Sequence, residues 1–471
     1  MLFNSFEFIF GFLPLCLLLY FGLNAIGRVA WAKGVLILFS LYFYAFFNSS
    51  YLPIMLTSIM ANYFVGYQLQ RKKSLSFRRL MLLVGVAFNV LLLGYFKYYD
   101  FFLENINILF RSSFTLKHIV LPLGISFFTF QQLAFIIDSY KQEVPIPRFL
   151  DYCNFVTFFP QLIAGPIVLP EEMLPQFASK KNRYVHSRNL FDGLFIFSIG
   201  LAKKVIIADS IAVFANVGFS GMTEFTMAEA WLTSLSYTMQ LYFDFSGYCD
   251  MAIGIGRMFN INLPINFDKP YVAQNFQEFW KRWHITLNRF LTHYLYIPLG
   301  GSRCGSFRTY VNILIVFLVS GLWHGAGWTF ILWGFFHGCG VVVCRLCGGG
   351  GNKPLPKLAS VAVTFFFVNI LWVLFRADTL SQAGNLISCM FNNTDMALTE
   401  PFRNRLLSIF PNMFNFTLFV LASVMAFVGP TAYTMMKEEK AFALKSATIV
   451  VLFVASLLFL NRENTFLYFN F

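Results

Sequence analysis

The sequence predicts an all-α, polytopic integral membrane protein of about 10–12 spanning helices, with broken re-entrant segments and interfacial amphipathic helices added to them. Three observations carry that reading. The chain of 471 residues is 58% hydrophobic and only 12% charged, with a mean hydropathy of +0.64, whereas soluble domains carry about 25% charge. Apolar runs of about 20 residues, the length that crosses a hydrocarbon core, recur from end to end. Lys and Arg gather in the short polar stretches between those runs. The net charge of +13 is therefore a matter of orientation and anionic head groups, and it gives no reason to expect a nucleic-acid partner.

Spanning segments are expected at 6–23, 29–47, 51–69, 79–98, 118–140, 190–214, 229–250, 358–376, 413–434 and 444–461. The N-terminus lacks a basic leader region and a small-residue cleavage site, so it reads as a first spanning helix. Arg71, Lys72, Lys73, Arg78 and Arg79 crowd one short loop, which the positive-inside rule places in the cytoplasm. Counting from there, the N-terminus lies outside and residues 141–148 inside. The basic stretch 180–188 should also be inside, so 149–178 must enter and leave on one side. Its core, Phe158-Phe159-Pro160-Gln161-Leu162-Ile163-Ala164-Gly165-Pro166, has the Pro and Gly of a broken segment, which survives at membrane depth only when buried in protein or lining a cavity.

Residues 309–344 contain no Asp, Glu, Lys or Arg. As one helix they would reach about 54 Å, nearly twice a hydrocarbon core of about 30 Å. A hairpin that turns partway through the membrane, with Gly321, Gly325 and Gly327 at its apex, fits better and holds His324 deep in the fold. The loop with Arg345, Lys353 and Lys357 then falls inside, 377–412 outside, 437–445 inside and the C-terminus outside. In the basic stretch 257–308, Phe276, Trp280, Trp283, Leu287, Phe290, Leu291 and Tyr294 recur at helical spacing, which predicts one amphipathic helix at the inner interface with His284 bordering the apolar stripe. The whole chain is read as a single membrane-embedded domain: 1–140 N-terminal helices, 141–376 a core with the re-entrant segments, 377–471 C-terminal helices and tail.

His324, in Gly321-Leu322-Trp323-His324-Gly325-Ala326-Gly327-Trp328, is the leading candidate for chemistry. An ionisable group at membrane depth is costly and usually faces a cavity or pathway. Imidazole, with an ordinary pKa of about 6.5, suits general acid–base work near neutrality. Between Trp323 and Trp328 it should stay neutral, the form that accepts a proton. The competing reading is a structural histidine bonded to a backbone carbonyl at a helix break. His284 could orient an acceptor, shuttle a proton or hold a donor, or merely pack beside Trp280 and Trp283. Lys281, Arg282 and Arg289 could attract phosphates of a cytosolic ligand or of lipids. Asp244 and Asp250 read as caps on a broken helix, because no His or Glu completes an oxygen-rich metal set. Asp138 and Gln161 read as buried hydrogen-bonding structure, and His118, His186, His293 and His337 as loop or interface residues. Eight Cys show no framework spacing, and Cys344 and Cys347 form a lone CxxC, so no metal site is expected.

Four stretches together resemble the membrane-bound O-acyltransferase superfamily. They are 159–166 (FPQLIAGP), 242–254 (YFDFSGYCDMAIG), 279–287 (FWKRWHITL) and 321–325 (GLWHG). The match is nearest its bacterial alginate O-acetyltransferase-like branch, which is related to the teichoic acid D-alanyl transferase. The resemblance implies that fold, and transfer of an acyl group, acetyl above all, from a cytoplasmic thioester to an extracytoplasmic hydroxyl. It makes His324 and His284 the catalytic histidines. Trp323, Trp328, Trp280, Trp283, Lys281, Arg282, Arg289, Asp244 and Gln161 become candidates for the donor and acceptor tunnel. It implies acetyl-CoA or another acyl thioester as co-substrate with no tightly bound cofactor, and a bacterial inner-membrane location. It also implies an exported SGNH-hydrolase-like partner and a polysaccharide acceptor such as alginate. Phe466, Leu467, Tyr468, Phe469, Asn470 and Phe471 look like that branch's C-terminal motif and are expected to dock the partner. The readings weighed against this are D-alanyl or other acyl transfer to teichoic acid or lipid, a transporter, and a non-catalytic scaffold of a glycan export complex.

Overall fold

The structure, a computed structural model, describes residues 1–71, 74–220, 224–348, 355–392, 395–409, 414–438, 442–460 and 466–467. The fold is all-helical, with no strand among the described residues. In chain order the helices are α1 (Glu7–Ala25), α2 (Val29–Ala45), α3 (Leu52–Gln70), α4 (Leu75–Phe110) and α5 (Ile125–Lys141). Three short helices follow: α6 (Phe149–Thr157), α7 (Phe159–Leu162) and α8 (Pro170–Ala178). α9 (Ser187–Ala202) continues through a π-helical turn, Lys203–Ala208, into α10 (Asp209–Phe219), and α11 (Met227–Met258) runs unbroken for 32 residues. Then come α12 (Phe276–Arg282), α13 (Ile285–Leu291), α14 (Ser306–His324), α15 (Trp328–Leu346), α16 (Lys357–Arg376), α17 (Leu380–Asn392), α18 (Glu400–Ile409), α19 (Phe414–Val428), α20 (Ala432–Lys437) and α21 (Phe442–Leu457). Five of them, α1, α4, α14, α15 and α16, are long and apolar enough to cross a membrane.

The chain forms two compact units. One comprises Met1–Phe197 and Cys249–Pro264, the other Ser198–Tyr248 and Ile265–Phe471. In the first, a polar ladder joins helices that are otherwise apolar. Asn89 Nδ2 donates to Asn62 Oδ1 at 2.6 Å, Gln132 Nε2 donates to Ser58 Oγ at 3.0 Å, and the Tyr152 hydroxyl donates to Gln132. With no water at that depth, buried amides find one another across helices. The stretch 149–178 is broken as its Pro and Gly predict, and residues 151–170 are buried throughout. Gln161 belongs to this break: its Nε2 donates to the Phe155 carbonyl at 2.7 Å.

Three expectations change. The hairpin around His324 exists, with longer arms than a turn partway through the membrane needs. Its arms are 19 residues each, about 28 Å at 1.5 Å per residue, enough for a full crossing. The connection takes only Gly325, Ala326 and Gly327, so almost none of the length is lost to the turn. The amphipathic helix breaks in two at Trp283–His284, where His284 adopts φ 46°. Asp244 and Asp250 lie inside the continuous α11, at neither of its ends.

Candidate active site

The hairpin places His324 at the last position of α14. Its arms come very close: a Cβ on Gly321 would lie 2.4 Å from the Phe330 carbonyl oxygen, and one on Gly334 would lie 2.3 Å from that of Phe317. Only glycine fits at such an approach. The His324 side chain, 3% exposed, meets Trp323, Trp333 and Phe375 at ring-centroid distances of 4.9, 5.0 and 5.2 Å. Trp323 is part of the expected aromatic shell. Trp328 begins α15 and is 53% exposed, so Trp333 and Phe375 complete the enclosure that sequence reading gave to Trp328.

His284 approaches from the break between α12 and α13, and its ring centroid lies 6.2 Å from that of His324. The side chain is fully buried. Its Nδ1 is 3.2 Å from Asn266 Oδ1, which also accepts from the Thr286 amide at 3.2 Å and the Thr286 hydroxyl at 2.9 Å. An oxygen that accepts from a backbone N–H identifies itself as the amide oxygen, so His284 Nδ1 must donate to it. The neutral ring then carries its basic lone pair on Nε2. Phe245 packs against the same ring at 5.0 Å. His284 lies outside the spanning helices, and burial pushes its imidazole down to about 3.

Behind His324, Trp333, Trp280, Trp372, Phe279 and His337 form a continuous aromatic box. Trp280 Nε1 donates to His337 Nδ1 at 3.3 Å, and Trp283 packs on Trp372 at 4.8 Å. His337, expected in a loop or interface, is on α15 and fully buried. A separate buried cluster centres on Lys204, whose Nζ lies 2.7 Å from Asp209 Oδ1 and 2.6 Å from Asp244 Oδ1. The Leu467 amide donates to Asp244 Oδ2 at 3.0 Å, and Lys204 Nζ stands 4.6 Å from the centroid of the Phe466 ring.

Residues 55–376 match the family model of the membrane-bound O-acyltransferases. The chain is similar along its full length to the peptidoglycan O-acetyltransferase of Helicobacter pylori, at 45% identity over 98% of that protein. It is also similar along its full length to the probable alginate O-acetylase AlgI of Pseudomonas putida, at 37% identity over all of that protein. About half of it, 52%, matches 66% of the teichoic acid D-alanyltransferase of Bacillus subtilis at 26% identity.

The chain belongs to the membrane-bound O-acyltransferase family. As a member it is a multi-pass membrane acyltransferase.

Within this acyltransferase the other expected site residues are scattered. Lys281 is exposed. Arg282 is engaged by Glu278 at 3.0 Å and Asp268 at 3.5 Å, so part of its charge is already answered. Arg289 is half-buried. Asp244 serves the Lys204 cluster, and Gln161 its own break in the first unit. Of the C-terminal motif, Phe466 and Leu467 are buried against their own chain, while Tyr468, Phe469, Asn470 and Phe471 lie outside the described residues. Sequence reading missed Lys204, Asp209, Trp333, His337 and Asn266. A lysine inside an apolar run was a sufficient flag for the first, and Trp333 and His337, four apart on one helix face, for the aromatic pair.

Proposed function

We propose that this acyltransferase moves an acetyl group from a cytoplasmic thioester, acetyl-CoA, to a hydroxyl of an extracytoplasmic cell-envelope polysaccharide, with His324 as general base. The observation that carries the proposal is the approach of two buried imidazoles, 6.2 Å between ring centroids, one at a helix end and one at a left-handed turn. His324 takes the proton of the attacking hydroxyl while the oxygen adds to the thioester carbonyl carbon. Collapse of the tetrahedral intermediate breaks the C–S bond, and the thiolate leaves with the proton that His324 returns. A thioester is already activated, so positioning and general-base help, worth about 10²–10⁴-fold, are what the protein must supply. His284, held by Asn266 in the Nδ1–H form, offers its Nε2 lone pair to orient the acceptor.

The relatives support acetyl over other acyl groups. Peptidoglycan is the first acceptor to test and an alginate-type exopolysaccharide the second, because the peptidoglycan O-acetyltransferase is the more similar of the two full-length relatives. The positive-inside count supports an inner-membrane protein whose termini are both extracytoplasmic. An exported SGNH-hydrolase-like partner, docked through 466–471, would carry the acetyl group onward. The test is reconstituted membranes given radiolabelled acetyl-CoA or, separately, a charged D-alanyl carrier protein. Acetyl transfer by the wild type, abolished in a folded His324→Ala variant, is expected. Transfer at the wild-type rate in that variant refutes the assignment of the base, and transfer from the D-alanyl carrier alone refutes acetyl.

A further inference from the structure

The aromatic box next to His324 holds two buried donors whose chemistry is set by the geometry around them. An indole nitrogen can only donate, and Trp280 Nε1 donates to His337 Nδ1 at 3.3 Å. His337 Nδ1 is therefore the acceptor nitrogen, and the neutral ring carries its proton on Nε2. Among the described residues that Nε2 and the Nε1 of Trp333 have no hydrogen-bond partner, and both side chains are 0% exposed. The two residues stand four apart on α15 and so share a face, with ring centroids 4.9 Å apart. Trp333 in turn lies 5.0 Å from His324, edge to face at 89°. Both orphaned groups are N–H donors, so what the pair requires is an acceptor. Phe375 and Trp372, which pack around these rings, offer none.

We propose that Trp333 Nε1–H and His337 Nε2–H hold the carbonyl oxygen of the acyl thioester, and the oxyanion it becomes, beside His324. The inference rests on the acyltransfer chemistry proposed above and adds the group that stabilises its intermediate. As the acceptor hydroxyl adds to the carbonyl carbon, its proton passes to His324 and the carbonyl π pair moves onto oxygen. The two ring N–H groups receive that charge and keep their own protons. Reforming the carbonyl expels the thiolate, which takes the proton from His324, leaving an ester and free thiol. Fixed donors aimed at a developing oxyanion in a water-poor site act without reorganisation. Trp280 is then a positioning residue: its bond to Nδ1 keeps the His337 proton on the nitrogen that the oxyanion needs.

The test uses the full-length protein in membranes. Trp333→Phe removes one N–H and keeps a ring, His337→Leu removes the other, and His337→Gln restores a donor that can still accept from Trp280. Each single loss is expected to lower kcat by about 10²–10³-fold, with KM for acetyl-CoA within about threefold and partial recovery in His337→Gln. Infrared spectra of acetyl-CoA labelled with ¹³C at the carbonyl, recorded without acceptor, should show a red-shifted band on wild type that is lost in Trp333→Phe. The thioether analogue S-ethyl-CoA, which has no carbonyl, should bind wild type and variant alike. Unchanged kcat and a retained red shift in Trp333→Phe overturn the proposal and leave the pair as the seat of a structural water. A wild type that transfers no acetyl overturns the functional reading instead, and the carbonyl band then decides the donor pair by itself.

Discussion

His284 sits in a backbone conformation that a β-carbon makes unfavourable by about 1–2 kcal/mol, at φ 46° and ψ 51°. Asn266 explains why it stays there: one carboxamide oxygen accepts from His284, from the Thr286 amide and from the Thr286 hydroxyl, and so fixes the ring and caps α13 together. The burial that holds its imidazole down to about 3 has a consequence for pH dependence. A lowered pKa means that the ring is neutral at every pH above about 3 and gains its charge only below that value. Between pH 5 and 8 the pH–rate profile should therefore contain no limb due to His284. His284→Gln is expected to lower kcat while leaving the profile unmoved; an acid limb near pH 6 that disappears in this variant would show that the ring titrates in the working range. Asn266→Ala should lower kcat as well, through loss of the tautomer and of the cap.

At the scale of elements, close approach of the two hairpin arms is what puts His324 in place. Adding a Cβ at Gly321 or Gly334 drives it against a carbonyl oxygen of the opposite arm, and overpacking of this kind costs about 1–3 kcal/mol. Gly321→Val and Gly334→Val are expected to reduce both the folded yield in detergent and the transfer rate, whereas Gly384→Ala, with open space around it, should be silent in both assays. The Lys204 cluster makes a second prediction at this scale, because it ties the π turn after α9 and the start of α10 to α11. Lys204→Met leaves two buried carboxylates without their cation, a change that costs about 3–5 kcal/mol, and thermal unfolding in detergent should register it. Adding Asp209→Asn and Asp244→Asn to that variant should recover much of the loss. The hairpin and the broken segment were legible in the sequence because length, Gly and Pro are local signals. The break at Trp283–His284 was not, since Trp280, Leu287 and Leu291 keep one helical phase straight through it, and its cause is Asn266, outside both helices. Lys204 was flagged by its place inside an apolar run, but its role was hidden, because its partner Asp244 lies far along the chain.

For the whole molecule the open choice is which face of the membrane holds the ends of the hairpin. Cys304 precedes α14, Cys347 follows α15, and both are exposed. The positive-inside count puts these two ends in the cytoplasm, with Arg303, Arg308 and Arg345 beside them. His324 then lies about 27 Å along α14 from Ser306, at 1.5 Å per residue. A thioester arriving from the cytoplasm would have to extend into the protein to reach the base, while an acceptor from the other face would have a short path. In a variant with Cys339, Cys344 and Cys389 replaced by Ser, a membrane-impermeant maleimide should label Cys304 and Cys347 in inverted membrane vesicles and leave them unlabelled in intact cells. Cys16, Cys153 and Cys249, all buried, should stay unlabelled in both. Labelling of Cys304 and Cys347 in intact cells would reverse the orientation. It would leave His324 near the cytoplasmic face, where acetyl-CoA has the short path and a polysaccharide hydroxyl the long one, and transfer to an extracytoplasmic polymer would then require the acceptor, not the donor, to reach across.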